Sequence, residues 1–293
     1  MSESAAVAVH RRYKLSFLKT LRSEWIKLFT LRSSWWLMVI TIVTSIGFSV
    51  FMAFMLYYNE NYMADVLAQN GVPREPGAMG MWSQAVVQGC GMTGQLVFVI
   101  LSVLIITNEY SSGMIRSTMT VAPRRIRVLI AKMFVIIFTA ILVFAISVAG
   151  SWGLGYLFLR DSVMVDTTLT SLVSLRILGG FVLEMVLVSL MCFGLGAWIR
   201  STAGGIGAAV FVVMLLPLIR QMIVGFLANP EPTGWRKWLV DGSLFLPTIA
   251  GGLITEVEPS SSLLGPWEGL GVLGGWALLA IIIAFIATAR RDV

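Results

Sequence analysis

Six long apolar runs are the feature of this sequence that most constrains its fold. An α-helix needs about 20 apolar residues to cross the roughly 30 Å hydrocarbon core of a membrane, and each run reaches that length. We therefore expect an all-α membrane protein in which residues 1–293 form a single transmembrane domain. The predicted spans are residues 34–57, 85–107, 133–159, 177–199, 203–227 and 269–289.

The composition favours a membrane protein over a soluble enzyme. The chain is 57% hydrophobic and only 12% charged, with a mean hydropathy of +0.87, whereas soluble domains are about 25% charged. Its net charge of +6 is interpreted as a membrane-surface property and not as a nucleic-acid site. Cys90 and Cys192 lie within apolar runs, so we expect buried small side chains instead of a disulfide or a metal site.

The basic residues are distributed unequally between the two sides of the predicted spans. If the N-terminus is cytoplasmic, fifteen Lys and Arg residues lie on the cytoplasmic side and five on the outer side. Cytoplasmic loops of membrane proteins carry such an excess of positive charge. We therefore predict that both termini are cytoplasmic.

The segment before the first span has the pattern of an amphipathic helix. Within residues 14–32, Leu21, Trp25 and Leu28 recur at helical spacing and basic side chains lie between them. This pattern predicts a helix at the anionic inner surface of the membrane.

Two segments on the predicted outer side differ in character. Residues 58–84 are polar and contain prolines, so we expect an irregular loop there. Residues 228–266 form a long loop whose apolar stretch, 244–254, is too short to span. That stretch is either re-entrant or an interfacial outer helix.

Two charged residues and one proline stand out inside the spans. Glu184 lies about 12 Å from the outer end of the fourth predicted span, and Arg220 lies about 10 Å from the outer end of the fifth. Because a lone charge at such depth costs at least a few kcal/mol, we predict that the two form an ion pair or share one polar cavity. The pair is either a gating element or a structural clamp, and Pro217 is expected to kink its span nearby.

The remaining chemistry of the chain points away from catalysis. No GxxxxGK[ST] nucleotide-binding loop occurs in the sequence, so any use of ATP by that route requires another polypeptide. The spans contain few other polar groups, which favours an apolar or amphipathic cargo. These groups are Gln84, Gln88, Gln95, Thr139, Ser147 and Ser189.

The predicted inner loop between the second and third spans is the most informative stretch outside the membrane. A polar cluster ends the span near Gly113, a short amphipathic helix with Met114 and Ile115 follows, and Pro123 ends it. Such a helix either contacts a cytoplasmic partner or lies in the membrane surface, and both interpretations stay open on the residues alone.

The same loop resembles a known family, the type 2 ABC-exporter permeases. The segment 22–28 (Arg-Ser-Glu-Trp-Ile-Lys-Leu) is similar to the N-terminal connecting helix of that family, and the span count and charge order also match. One departure is Met114, where the family often has threonine. The residues that match the family pattern between spans two and three are Glu109, Gly113, Pro123, Arg125 and Lys132.

The resemblance implies a permease subunit in the bacterial cytoplasmic membrane that is not itself an enzyme. A separate ABC ATPase subunit would bind ATP and Mg²⁺, this chain would bind no cofactor, and a second permease copy or a homologous permease would complete the dimer within the lipid. The cargo would be a drug, antibiotic, peptide or lipid. The residues implied in coupling to the ATPase are Glu24, Lys27, Glu109, Tyr110, Gly113, Met114, Ile115, Arg116, Pro123, Arg125 and Lys132.

Two other function classes remain as alternatives. An ion-coupled secondary carrier could use Glu184 as its proton site, although the two halves of the chain share no obvious internal similarity, which such carriers usually show. A non-transporting immunity or sensor protein would use the outer loop for binding.

Overall fold

The computed structural model of the chain describes residues 17–71, 80–111, 125–160, 169–227, 234–258 and 263–290, and these residues contain helices but no strand. Two helical stretches each contain a five-residue π-helical turn, Gly91–Gln95 and Phe211–Leu215. The α-helices are α1 (Phe17–Thr30), α2 (Arg32–Gln69), α3 (Met81–Cys90), α4 (Leu96–Ser111), α5 (Arg125–Leu159), α6 (Leu172–Ile199), α7 (Thr202–Val210), α8 (Leu216–Leu227), α9 (Trp235–Ser243), α10 (Pro247–Gly252) and α11 (Pro266–Arg290).

Among the described residues, six helical stretches are long and apolar enough to cross a membrane, and each coincides with a predicted span. The prediction of six apolar helices is therefore confirmed. The stretches are Arg32–Leu67, Met81–Asn108, Ile126–Leu159, Leu172–Ile199, Thr202–Phe226 and Pro266–Thr288.

The helices extend beyond the apolar runs, and this corrects two predictions. Helix α2 continues to Gln69 and α3 begins at Met81, so the expected irregular loop is wrong for residues 58–69 and 81–84. Hydropathy marks where a helix is apolar, but the helical hydrogen bonds continue through polar residues such as Asn61, whose side chain donates to the Tyr57 carbonyl at 3.0 Å. Residues 235–243, predicted as loop, form α9.

The short apolar stretch 244–254, predicted to be either re-entrant or an interfacial outer helix, is helical from residue 247 onward. Helix α10 and the following 3₁₀ turn, Leu253–Thr255, form a bent pair with α9 at an angle of 68°. Helix α10 packs against α6 and α11, and its last residues, Gly251 and Gly252, lie beside Glu184 of α6, so α10 reaches into the helical bundle.

Helix α6 is the central helix of the bundle. Its apolar stretch is 78% buried, against 17% for the fifth span, and it packs against α4, α5 and α11. At Gly194 the backbones of α6 and α11 approach so closely that a methyl group would lie 2.7 Å from the Ala280 carbonyl carbon. Small residues permit such close helix packing in membranes.

The helix ends define two ends of the bundle. Helix α1 packs against the start of α5 at one end, here called the α1 end, where Arg200 also donates to the Ala287 carbonyl at 2.9 Å. At the opposite end Arg176 donates to the carbonyls of Glu256 and Val257. Because successive spans alternate in direction, the helix ends that flank residues 112–124 lie at the α1 end.

Candidate functional site

A cleft of about 750 Å³ lies between the spans and is here called the intramembrane cavity. It is open on one side, where lining residues such as Met92 and Gln221 are exposed. Its walls come from α3 and the first π turn, from α6, from the second π turn and α8, and from the 3₁₀ turn after α10. Most of the lining is apolar, and the polar side chains in it are few. They are Gln88, Gln95, Glu184, Gln221 and Thr255.

Both π turns line the intramembrane cavity, and the sequence explains the second one. Pro217 has no N–H and so cannot donate to the carbonyl four residues earlier, at Val213. The π turn Phe211–Leu215 lies at this position, and the Leu216 N–H donates to the Phe211 carbonyl five residues back. Single π turns within α-helices are frequent at functional sites, and Pro217 itself lines the cavity.

Glu184 projects from the central helix into this cavity. Glu184 is 6% exposed. Its Oε1 lies 4.0 Å from the position that a methyl group on Gly252 would occupy. Among the described residues, no hydrogen bond or ion pair reaches its carboxylate. A buried charge is normally paired, so this carboxylate is the unusual group of the site.

The predicted ion pair between Glu184 and Arg220 is wrong. The Nε of Arg220 donates to Ser243 Oγ at 3.0 Å, and Arg220 lines a separate groove of about 500 Å³ between α8 and α9. The reason is the helical phase, because residues 213, 214, 217 and 221 face the cavity whereas 219, 220 and 223 face α9. The two residues therefore share neither a bond nor a cavity.

The predicted equal depths of these two charges are also corrected. Helix α6 begins at Leu172, five residues before the predicted span, so Glu184 lies about 18 Å from that helix end. Arg220 lies about 10 Å from the end of α8. Glu184 is thus near the middle of its helix and Arg220 is nearer the end.

A second cluster of charges lies at the α1 end. Glu24 of α1 and Lys132 of α5 form an ion pair with Oε2 and Nζ 2.6 Å apart, and both side chains are 4% exposed. The Nζ of Lys132 also donates to the Ile105 carbonyl at 3.3 Å, and Lys27 pairs with the other oxygen of Glu24 at 2.8 Å. We call this the Glu24–Lys132 clamp, and it joins α1, α4 and α5.

Aromatic contacts also pack α1 against the bundle. The ring of Trp25 packs edge-on against Phe138 with centroids 5.0 Å apart, and Phe17 meets Phe134 at 6.0 Å. Leu28 is buried against the bundle. The predicted amphipathic helix in 14–32 is therefore confirmed as α1, and its apolar and acidic face packs on the bundle.

The other predicted coupling residues are described only in part. Glu109 and Tyr110 belong to the last turn of α4, and Arg125 begins α5, but their side chains are outside the described structure. The remaining members of this set lie outside the described residues altogether. They are Gly113, Met114, Ile115, Arg116 and Pro123.

Sequence reasoning missed two features of these sites. It did not predict that Glu24 and Lys132 bind each other, because no pattern links residues 108 positions apart. It also did not identify Gln221 as a lining residue of the intramembrane cavity. The spacing of four between Pro217 and Gln221, and of seven between Gln88 and Gln95, places each pair on one helix face and could have found the cavity lining.

The cysteines and acids of the described residues form no metal-binding cluster. No three His, Cys, Asp or Glu side chains in this part of the chain come together, and Cys90 and Cys192 are free and buried, as predicted.

The fold and the cavity define the class of this protein: a multi-pass membrane protein built from helices. It belongs to a family described as "Protein of unknown function (DUF2705)", which it matches over residues 36–293. No curated protein matches the chain significantly.

Proposed function

We propose that this protein is the membrane subunit of an ATP-driven exporter in the bacterial cytoplasmic membrane. A separate ATP-hydrolysing subunit binds ATP and Mg²⁺ and docks at the α1 end, and a second permease chain completes the transport path. The cargo is apolar or amphipathic. The resemblance of residues 22–28 and 109–132 to type 2 exporter permeases supports this proposal.

The observation that carries the proposal is the Glu24–Lys132 clamp. It fastens the amphipathic helix to the two helices that flank residues 112–124, the segment in which we expect the docking helix. A force on that segment would therefore act on α1, α4 and α5 together. This is the mechanical connection that a permease without its own nucleotide site requires.

The orientation follows from the charges in this proposal. The α1 end is cytoplasmic because the fifteen basic residues of the predicted inner side belong to the N-terminal segment, the 108–132 loop, Arg200 and the C-terminus. ATP binding by the partner has only to favour one of two packings of the spans. The two π turns lie at the intramembrane cavity, and single π turns are frequent at functional sites.

One observation favours a second candidate, the ion-coupled secondary carrier. A buried carboxylate with no bonding partner among the described residues, near the middle of a span, is a typical proton site in such proteins. In that case the chain would transport without an ATPase. For the third class, a non-transporting immunity or sensor protein, the part of the chain that the structure describes contains no feature in its favour.

Purification in mild detergent tests these candidates. The tagged full chain, isolated from its native host, should bring with it a stoichiometric ATP-hydrolysing subunit, and vesicles containing the complex should move a labelled amphiphile only with ATP. Flux that follows a proton gradient without any ATPase would instead establish the carrier. Ligand binding with no flux under either condition would establish the sensor.

Substitution of the expected docking helix tests the coupling. We expect the double variant Glu109→Ala, Arg116→Ala to retain ATP hydrolysis in the complex but to lose most of its transport, because the partner no longer moves the spans. Arg127→Ala, an exposed arginine of α5, is the matched control. Full transport by the double variant would contradict the assignment of the docking helix.

A further inference from the structure

We propose that the intramembrane cavity binds an amphipathic organic cation, with the positive group at the carboxylate of Glu184 and the apolar body against the surrounding spans. This names a substrate class for the exporter and, as a transport function, rests on the function proposed above. Binding itself is a property of this chain and can be measured without a partner.

The buried carboxylate of Glu184 lacks an opposite charge among the described residues. The side chain is buried near the middle of α6, and no described group bonds to its carboxylate. Arg176, on the same helix, and Arg220, the partner predicted from the sequence, both donate hydrogen bonds to other groups. Arg176 donates to the Glu256 and Val257 carbonyls, and Arg220 donates to Ser243. A bound cation would supply the missing opposite charge.

The other lining groups determine what kind of cation fits. Three glutamine side chains and Thr255 line the same cavity as the carboxylate and can form hydrogen bonds with a ligand, and among the described residues no second carboxylate lines it. The rest of the wall is apolar. Flexible thioethers adapt to irregular ligands, and an aromatic face attracts cations. These apolar groups include Met92, Met185, Met214 and Phe181.

The size of the cavity fits an organic ion. At about 750 Å³ it lies within the range of roughly 300–1,000 Å³ that is typical of pockets for drug-sized ligands. A small inorganic cation would leave most of this space and its apolar wall unused. One negative charge, a few amides and a large apolar wall are together complementary to an ion with a single positive charge and a bulky apolar body.

Tetraphenylphosphonium binding to the full chain in lipid nanodiscs tests the proposal. Tetraphenylborate, an anion of the same shape, is the control ligand, and empty nanodiscs give the lipid background. We expect saturable binding of the cation and not of the anion. Glu184→Gln should weaken cation binding at least about tenfold, whereas Glu258→Gln, which removes an exposed acid, should leave it unchanged.

A second variant keeps the test decisive if Glu184→Gln does not fold. A methyl group on Gly252 would lie 4.0 Å from Glu184 Oε1, an ordinary contact, so Gly252→Ala should fold and reduce the space at the carboxylate. We expect it to weaken tetraphenylphosphonium binding several-fold. Gly179→Ala, with nothing within 4 Å on the exposed face of α6, is its matched control.

The outcomes separate this inference from the proposed function. Absence of saturable cation binding, equal binding of both ions, or unchanged binding in Glu184→Gln would overturn the cation site, even if an ATPase accompanies the chain. If Glu184→Gln does not fold, unchanged binding in Gly252→Ala would overturn it. Glu184-dependent binding without any ATPase partner would support the site and refute only the exporter.

Discussion

Two glutamates of this protein are buried to almost the same extent, but they differ in their bonding partners and in their surroundings. Glu24 is 5% exposed and Glu184 is 6% exposed. Glu24 binds two lysines, at 2.6 and 2.8 Å, and thereby fastens α1 to the bundle. Glu184 has no described partner and faces a cavity lined by amides and two π turns.

The difference shows that burial alone does not assign a role to an intramembrane or interfacial charge. Where the chain supplies the opposite charge, the carboxylate is part of the architecture, and removing one partner leaves an uncompensated ion. Where no described group of the chain bonds to the carboxylate, the cost of burial persists until something else binds. The comparison predicts opposite responses to substitution at the two sites.

The largest effect is expected at the Glu24–Lys132 clamp. Lys132→Met should lower the free energy of unfolding by about 3 kcal/mol, the lower end of the range for breaking a buried pair, because Lys27 still contacts Glu24. Unfolding in mixed detergent micelles measures the change. Lys19→Met, at an exposed lysine of α1, the helix that carries Glu24, should have no effect. Equal stability of wild type and Lys132→Met would show that the clamp is not structural.

An opposite and smaller effect is expected at Glu184. Glu184→Leu should raise the free energy of unfolding by about 1 to 2 kcal/mol, because it removes an unpaired polar group from an apolar environment. The same unfolding measurement applies. A loss of stability as large as that of Lys132→Met would mean that Glu184 has a partner in the folded protein, and the contrast between the two glutamates would not hold.

Lys27→Met tests whether the number of ion-pair partners of Glu24 or the burial of those partners stabilises α1. Lys27 contacts the same carboxylate as Lys132, but its side chain is 39% exposed, and solvent screens such a pair. We expect a loss of no more than about 0.5 kcal/mol. A loss comparable with that of Lys132→Met would show that the number of partners, and not their burial, stabilises α1.

The smallest effect is expected between Glu184 and Arg220. In a double-mutant cycle with Glu184→Gln and Arg220→Met, the coupling energy should be below about 0.5 kcal/mol, because the residues line different cavities. The Glu24–Lys132 cycle serves as the positive reference. Strong coupling between Glu184 and Arg220 would restore the ion pair that the sequence predicted.

The sequence predicts the spans well because the membrane imposes a length on every apolar helix. All six were found, and so was α1, whose leucines and tryptophan recur at helical spacing. Helix ends were predicted less well, since α2 and α6 continue through residues that hydropathy does not mark. Residues 235–243 were missed because a helix of nine residues is too short to give a span-length hydropathy signal by itself.

The site was predicted only where one residue carries its own signal. Glu184 stands out in an apolar run, and Pro217 marks an irregular helix, so both were found. The partners were not, because the position of Arg220 on α8 depends on the helical phase after a π turn, and the bond between Glu24 and Lys132 depends on how three helices pack. Such long-range arrangements leave no local pattern.

The distance along the chain between Glu24 and Lys132 has a consequence for biogenesis. The lysine is added 108 residues after the glutamate, which at about 5 to 20 residues per second is a delay of about 5 to 20 s on the ribosome. During that interval α1 has emerged without its main anchor, while the first two spans are being inserted. The amphipathic helix therefore reaches its final packed position only after the start of the third span has been synthesised.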